Sequence, residues 1–229
     1  MSETRVFALA FLIALNVPIA ISIGLATFCA ILTAGKVPLC LVSQRMFTGV
    51  DSFPLLAIPL FMLAGSLMDK GGISRRLIDL ATAFVGHVHG GLGIIAVIAC
   101  MFFAAISGSA PATVVAIGSI MVPAMINAGY DKAFSVALLA AAGTIGVVIP
   151  PSIPFVTYGV SMNASIGKLF AAGLVPGCLM GLTLIILCYV VSVRRGYKAS
   201  MDSSKGKLAA IRESFWGLLM PVIILGGIY

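Results

Sequence analysis

The sequence predicts an all-α protein that passes through a membrane several times, and three observations carry that prediction. Hydrophobic residues make up 61% of its 229 positions and charged residues only 9%, whereas soluble domains carry roughly 25% charged residues. The apolar residues gather into long runs, and a helix rising about 1.5 Å per residue needs ~20 of them to cross ~30 Å of hydrocarbon. Two of those runs are interrupted by Gly, Ser and Pro with no charge nearby, which is how helices are broken inside a bilayer. The net charge of +7 does not point to nucleic acid, because the bases sit in short clusters between apolar runs, not along a stripe with stacking aromatics.

In chain order, Val6–Leu32 is an apolar run of 27 residues. It is too long for the ~7–15-residue core of a signal peptide and reads as a membrane helix, kinked at Pro18. From Lys36 to Val50, apolar residues mix with Lys36, Gln44 and Arg45, as in a helix lying at the membrane surface. Phe53–Met68 is a short crossing. Ser74–Val85 sets Leu77, Ile78, Leu80, Ala81, Phe84 and Val85 on one face, with Arg75, Arg76 and Asp79 elsewhere. Gly91–Ile106 and Ala112–Ala128 are two apolar arms around Ser107-Gly108-Ser109-Ala110-Pro111. No Lys, Arg, Asp or Glu occurs from Gly90 to Tyr130. A turn of small, uncharged residues fits a re-entrant hairpin whose tip stops within the membrane. Ala133–Ile149 forms a helix that breaks at Pro150-Pro151-Ser152-Ile153-Pro154, where three prolines remove three backbone donors, and resumes to about Met162. Lys168–Val193 is a further span. Arg194–Arg212 is a basic connector, and Phe215–Tyr229 opens another span. Those last 15 apolar residues reach only ~22 Å, so the sequence reads as the N-terminal portion of a longer protein.

Placing the Arg194–Arg212 connector in the cytoplasm and counting spans backward puts eleven basic residues inside, Arg5 among them. Three remain outside: Lys36, Arg45 and Lys168. Lys and Arg concentrate on the cytoplasmic side of membrane proteins, so the N-terminus is expected there.

The two interruptions carry the chemistry. Unpaired backbone groups in hydrocarbon cost several kcal/mol each, so irregular chain at depth occurs where protein or a water-lined cavity satisfies it. Broken helices free carbonyl oxygens for a small cation and present helix N-termini to a carboxylate. Ser107, Ser109, Thr113, Thr144 and Ser152 add neutral oxygens. Small residues and Ser/Thr also line ordinary helix contacts in membranes, so each interruption alone is equally open to a packing role. Elsewhere the chemistry is sparse. His87 and His89 form a bare His-x-His pair. The Gly86–Gly93 stretch lacks the Gly-Lys-Ser/Thr ending of a phosphate loop. Asp51, Asp69, Asp79 and Asp131 fall at span ends. The cysteines (Cys29, Cys40, Cys100, Cys178, Cys188) make no Cys-x-x-Cys pair and read as small packing residues. No nucleophile and base are paired as an enzyme would need.

An ordered series of short motifs resembles the large membrane subunit of tripartite ATP-independent periplasmic (TRAP) transporters. It runs from Leu39–Phe61 and Leu63–Met68 through Ile106-Ser107-Gly108-Ser109, Ala116–Ile120, Pro123–Met125 and Gly129-Tyr130-Asp131. It continues through Gly143-Thr144-Ile145-Gly146, Ile149–Pro154 and Tyr158-Gly159. The resemblance implies the first inverted repeat of an elevator-type secondary transporter, with a re-entrant helical hairpin and a broken transmembrane helix. It implies a bacterial inner-membrane location and no cofactor beyond sodium as coupling ion. The implied partners are a small four-helix membrane subunit, a periplasmic substrate-binding protein and an organic acid of the C4-dicarboxylate, sialic acid or keto acid type. Carried over, Ser107, Gly108, Ser109, Gly143 and Thr144 would bind sodium, and Thr113, Pro150, Pro151 and Ser152 would line the substrate cavity. Residues 1–70 would be scaffold helices. Residues 71–163 would hold the interfacial helix, hairpin and broken helix. Residues 164–212 would be a span with its basic connector, and 213–229 the start of another. The family's subunit is about twice as long, so a second hairpin and sodium site would lie outside this chain. Two other readings remain: an elevator anion symporter without a binding protein, and a membrane scaffold that transports nothing.

Overall fold

The computed structural model describes residues 2–35, 38, 40–86 and 88–197, together with Ser214, Leu219, Ile223, Gly226 and Gly227. Every regular element among them is helical. The chain divides into two compact units, Met1–Phe53 and Pro54–Tyr229. His87, Lys36 and most of the basic connector lie outside the described residues.

In the first unit, hydropathy alone suggested one kinked span over Val6–Leu32, and the structure corrects this. The run is two helices, α1 (Ser2–Ala14) and α2 (Ile19–Ala34), packed against each other. Asn16 is left-handed, with φ 60°. The amide of Val17 donates to Leu12 O at 3.1 Å and that of Asn16 to Ile13 O at 2.9 Å. That pair of bonds closes a helix end, and Asn tolerates the left-handed position better than most side chains. Pro18 is extended (φ −52°, ψ 136°) and precedes the first turn of α2. On α2, Ser22, Ala26 and Ala30 recur every four residues and are buried, so small side chains form the packing stripe. Arg5 therefore leaves the count that placed it in the cytoplasm. Next comes α3 (Cys40–Val50), with no buried residue.

The second unit opens within a 3-10 turn, Phe53–Leu56, that leads into α4 (Ala57–Lys70). Then α5 (Ile73–Val85) packs on α6 (Gly91–Ser107), with Ala81 in the shared core, Ile78 and Val85 against it, and Leu77 and Leu80 buried as well. The expected stripe holds for these residues, but Phe84 is turned outward and Ser74 and Ala83 are buried instead. The apolar face of α5 is thus largely taken up by protein.

The centre of the unit is α6. All of its 17 residues except Ile98, Met101 and Phe102 are buried. A helix apolar all round belongs in an interior, and α6 is surrounded by α4 and α5, then α7 (Ala110–Asn127), α8 (Lys132–Gly143) and α10 (Ile166–Arg195). Asp131 caps α8, its Oδ1 accepting from the Phe134 amide at 2.8 Å. A 3-10 turn, Thr144–Val147, follows α8 directly; Val148–Ser152 is irregular, and α9 (Ile153–Met162) resumes. The break overlaps the proline run but begins earlier than expected, at Val148, and ends at Ser152, so that Ile153 and Pro154 already open α9. Along α10, Gly173, Gly177 and Gly181 recur every four residues. A methyl on Gly173 would meet Val148 O at 2.5 Å, and one on Gly177 would meet Ile149 Cγ1 at 2.5 Å. These glycines let α10 lie directly against the break.

Three described helical stretches are long and apolar enough to cross a bilayer: Phe53–Lys70, Ala110–Asn127 and Ile166–Arg195.

Candidate functional site

The two interruptions meet. The amide of Ile153, at the start of α9, donates to Gly108 O in the turn between α6 and α7 at 3.3 Å. Gly108 is required there on two counts. Its φ is +62°, and a methyl on it would lie 2.4 Å from Pro151 O. A side chain would be strained by its backbone and would also collide with the facing main chain.

Around this junction the hydroxyls form a closed set. Ser107 Oγ and Thr113 Oγ1 are 3.0 Å apart. Thr113 Oγ1 donates to Ser109 O at 2.8 Å, and Ser109 O also accepts from the Thr113 amide at 3.1 Å. Thr113 is 0% exposed and Ser107 4%. Across the junction Ser152, also 0% exposed, donates to Val147 O at 2.6 Å and accepts from the Phe155 amide at 3.4 Å. Both helices that leave the junction start alike. Ser109-Ala110-Pro111 opens α7 and Ser152-Ile153-Pro154 opens α9, each with an extended Ser before the first turn. Proline suits a first turn because its missing N–H would find no partner within the helix. Two helix N-termini and the C-terminal end of α6 therefore converge on one buried spot. The first carry partial positive charge, the second partial negative charge.

Of the residues singled out from sequence, Ser107, Gly108, Ser109, Thr113, Pro151 and Ser152 come together here, and Pro150 is buried beside them. Gly143 faces α7, where a methyl would overlap Val114 Cγ2 and meet Ala110 O at 3.4 Å. Thr144 stands apart: its side chain is exposed and its hydroxyl donates to Ala141 O at 2.7 Å, within its own helix. Its hydroxyl does not join the Ser107–Thr113 set. Two glycines that sequence reasoning left out are at the junction. A methyl on Gly146 would meet Thr113 Oγ1 at 2.8 Å and Ser109 O at 3.0 Å, and one on Gly65 of α4 would meet Ser107 Cα at 3.4 Å. The Gly143-x-x-Gly146 spacing was the available signal for the first; nothing local marks the second.

Among the other flagged residues, Asp51, Asp69 and Asp131 are exposed and His89 is exposed. All five cysteines are free, and Cys100 and Cys188 are buried. No group of three or more His, Cys, Asp or Glu among the described residues could hold a metal ion.

Apolar helices of crossing length around two interrupted helices define a multi-pass helical membrane protein. The chain belongs to the family described as tripartite ATP-independent periplasmic transporter, DctM component, whose sequence profile matches residues 6–229. It is 53% identical over 222 residues to the isethionate TRAP transporter permease protein DctMQ of Oleidesulfovibrio alaskensis, covering 96% of this chain and 35% of that protein. It is 42% identical over 245 residues to the C4-dicarboxylate TRAP transporter large permease protein DctM of Rhodobacter capsulatus, covering 100% of this chain and 56% of that one. It is 41% identical over 219 residues to the 2,3-diketo-L-gulonate TRAP transporter large permease protein YiaN of Escherichia coli, covering 94% and 51%. The chain thus spans between a third and somewhat over half the length of these relatives. These relatives, like the apolar helices, fit a multi-pass protein of a bacterial inner membrane.

Proposed function

We propose that this chain supplies one repeat of the membrane permease of a sodium-coupled organic-acid transporter, and that the junction of the two interruptions is half of its transport site. The observation that carries this reading is the Ile153 N–H to Gly108 O contact at 3.3 Å. It brings the hairpin turn and the break of the second helix together in a buried, oxygen-rich spot with no ionisable side chain. Main-chain and hydroxyl oxygens are hard ligands suited to an alkali cation. In this reading Ser107, Gly108 and Ser109, backed by Gly143, hold the sodium ion, and Thr144 contributes through its main chain. The N-termini of α7 and α9 attract the carboxylate of the organic acid beside Thr113, Pro150, Pro151 and Ser152.

A re-entrant hairpin, reversing at an uncharged turn, is part of this reading. The arms α6 and α7 have 17 and 18 residues, or about 26 Å each. Their turn meets the broken helix where α9 begins, and α9 continues for 10 residues, about 15 Å more. In this reading the hairpin reverses at its turn while the neighbouring helix goes on past it. Motion of such a unit against a scaffold would be the elevator mechanism. The names of the relatives, which include isethionate, C4-dicarboxylate and 2,3-diketo-L-gulonate transporters, support an organic acid as cargo. A small membrane subunit and a periplasmic binding protein are the partners proposed on the same ground.

The test is sodium-driven uptake by the full-length permease in proteoliposomes with its companion subunits. Ser107→Ala is expected to raise the half-saturating sodium concentration about tenfold, since a charged partner's hydrogen bond or ligand is worth ~1.5–3 kcal/mol. Unchanged sodium dependence in that variant rules the site out.

A further inference from the structure

We propose that the cavity between α4 and the hairpin is the vestibule through which the coupling cation enters or leaves the hairpin turn, with Asp69 as the residue that draws cations into it. This rests on the reading above that the turn binds sodium. The cavity encloses about 290 Å³ and is lined on one side by Met62, Gly65, Ser66 and Asp69 of α4 and on the other by the hairpin, including Ser107 and Ser109. Met62, Gly65, Ser66 and Asp69 recur at three- and four-residue spacing, so α4 turns one continuous face into this space.

Its geometry runs outward from the turn. Gly65 lies against the turn itself, its would-be methyl 3.4 Å from Ser107 Cα. Asp69 follows four residues later, about 6 Å further along the helix. On the opposite wall, Phe103 of α6 and Val115 and Ala116 of α7 are likewise one or more turns away from Gly108. The cavity therefore connects the Ser107 and Ser109 oxygens at its inner end with an exposed carboxylate further out.

The lining chemistry decides which ion it serves. Among the described residues, Asp69 is the sole ionisable one that lines the cavity. Its Oδ1 accepts from Ser74 Oγ at 2.5 Å, which ties the exposed carboxylate to the first turn of α5. Lys70, Arg75 and Arg76 are neighbours in sequence but line no part of it. A cavity carrying one negative charge and serine hydroxyls raises the local concentration of a small cation and lowers that of an organic acid. It is not suited to be the acid's own binding pocket.

The experiment uses the full-length permease with its companion subunits in proteoliposomes and in a background without other reactive cysteines. Asp69→Asn is expected to raise half-saturating sodium about fivefold, the effect of one charge acting through water at close range. Asp69→Glu should restore it, with maximal uptake and the half-saturating substrate concentration retained in both. Separately, Ser66→Cys should react about tenfold faster with a cationic methanethiosulfonate than with an anionic one, sodium should slow the reaction, and adding Asp69→Asn should remove the preference. Sodium-dependent uptake with an unchanged half-saturation in Asp69→Asn and equal labelling by both reagents overturns the vestibule alone. Uptake by the unsubstituted permease that needs no sodium overturns the site and the vestibule together.

Discussion

Two of the protein's helix reversals, at Asn16 and at Gly108, differ in what surrounds them. Both residues are left-handed, at φ 60° and 62°. At Asn16 the side chain is exposed, and the amides of Asn16 and Val17 close the helix end by themselves. At Gly108 there is no room for a side chain, because Pro151 O occupies the place a methyl would take. The first reversal is a local event written in a few residues. The second is local geometry plus a tertiary contact, and it gathers several buried hydroxyls, where the first has Ser22 donating to Val17 O at 3.2 Å. A left-handed residue is therefore enough to fold an apolar run back on itself, whereas a site needs a second interrupted helix pressed against the turn.

The largest expected effect tests that difference directly. Gly108→Ala combines backbone strain with a clash against rigid main chain, and should destabilise the fold by roughly 3 kcal/mol or more. Asn16→Gly should change stability by less than ~1 kcal/mol, in either direction. Thermal unfolding of the purified full-length permease in detergent measures both; similar losses in the two variants would erase the distinction. Next in size is Gly146→Ala, which forces Thr113 Oγ1 and Ser109 O apart. A destabilisation of about 1–3 kcal/mol is expected, together with weakened sodium dependence of uptake. A wild-type sodium response in a correctly folded Gly146→Ala protein would remove the Ser109 carbonyl, which the added methyl meets at 3.0 Å, from the sodium site.

Topology offers a third test. A cytoplasmic reporter fused after Ser203 should be active, because ten basic residues remain on that side once Arg5 is set aside. Periplasmic behaviour would invert the proposed orientation. The smallest effect belongs to the exposed ion pair between Arg195 Nη1 and Asp131 Oδ1, 3.8 Å apart with both side chains about half exposed. Arg195→Gln should cost less than ~1 kcal/mol. The stacked rings of Tyr130 and Tyr197, 4.2 Å between centroids, keep the same two chain segments together.

Which features were legible in the sequence follows from the same physics. The break at Pro150–Pro154 was readable because proline removes donors wherever it stands. The turn at Ser107–Pro111 was readable because small, uncharged residues between two apolar arms leave few other conformations. The reversal at Asn16 was hidden by unbroken hydropathy: Leu15 and Val17 are as apolar as the helices they separate, and the signal lay in Asn16 and Pro18 rather than in any polar gap. The direction of the Thr144 hydroxyl was not readable either, since it depends on where the helix tightens into a 3-10 turn. Gly65 shows the limit most clearly. Its role comes from the approach of α4 to Ser107, a contact 42 positions distant in the chain, and no local pattern encodes it.

The glycine ladder of α10 has one mechanical consequence. Val148 and Ile149 leave the regular helix with their amides still bonded to Ile145 O, and they are backed by Gly173 and Gly177 on one side, while Gly108 faces the neighbouring Pro151 on the other. Sliding or bending that segment would drive carbonyl oxygens into a helix backbone. The irregular stretch is accordingly a rigid joint rather than a hinge, and bending has to be taken up at its ends, as at left-handed Asn163 after α9.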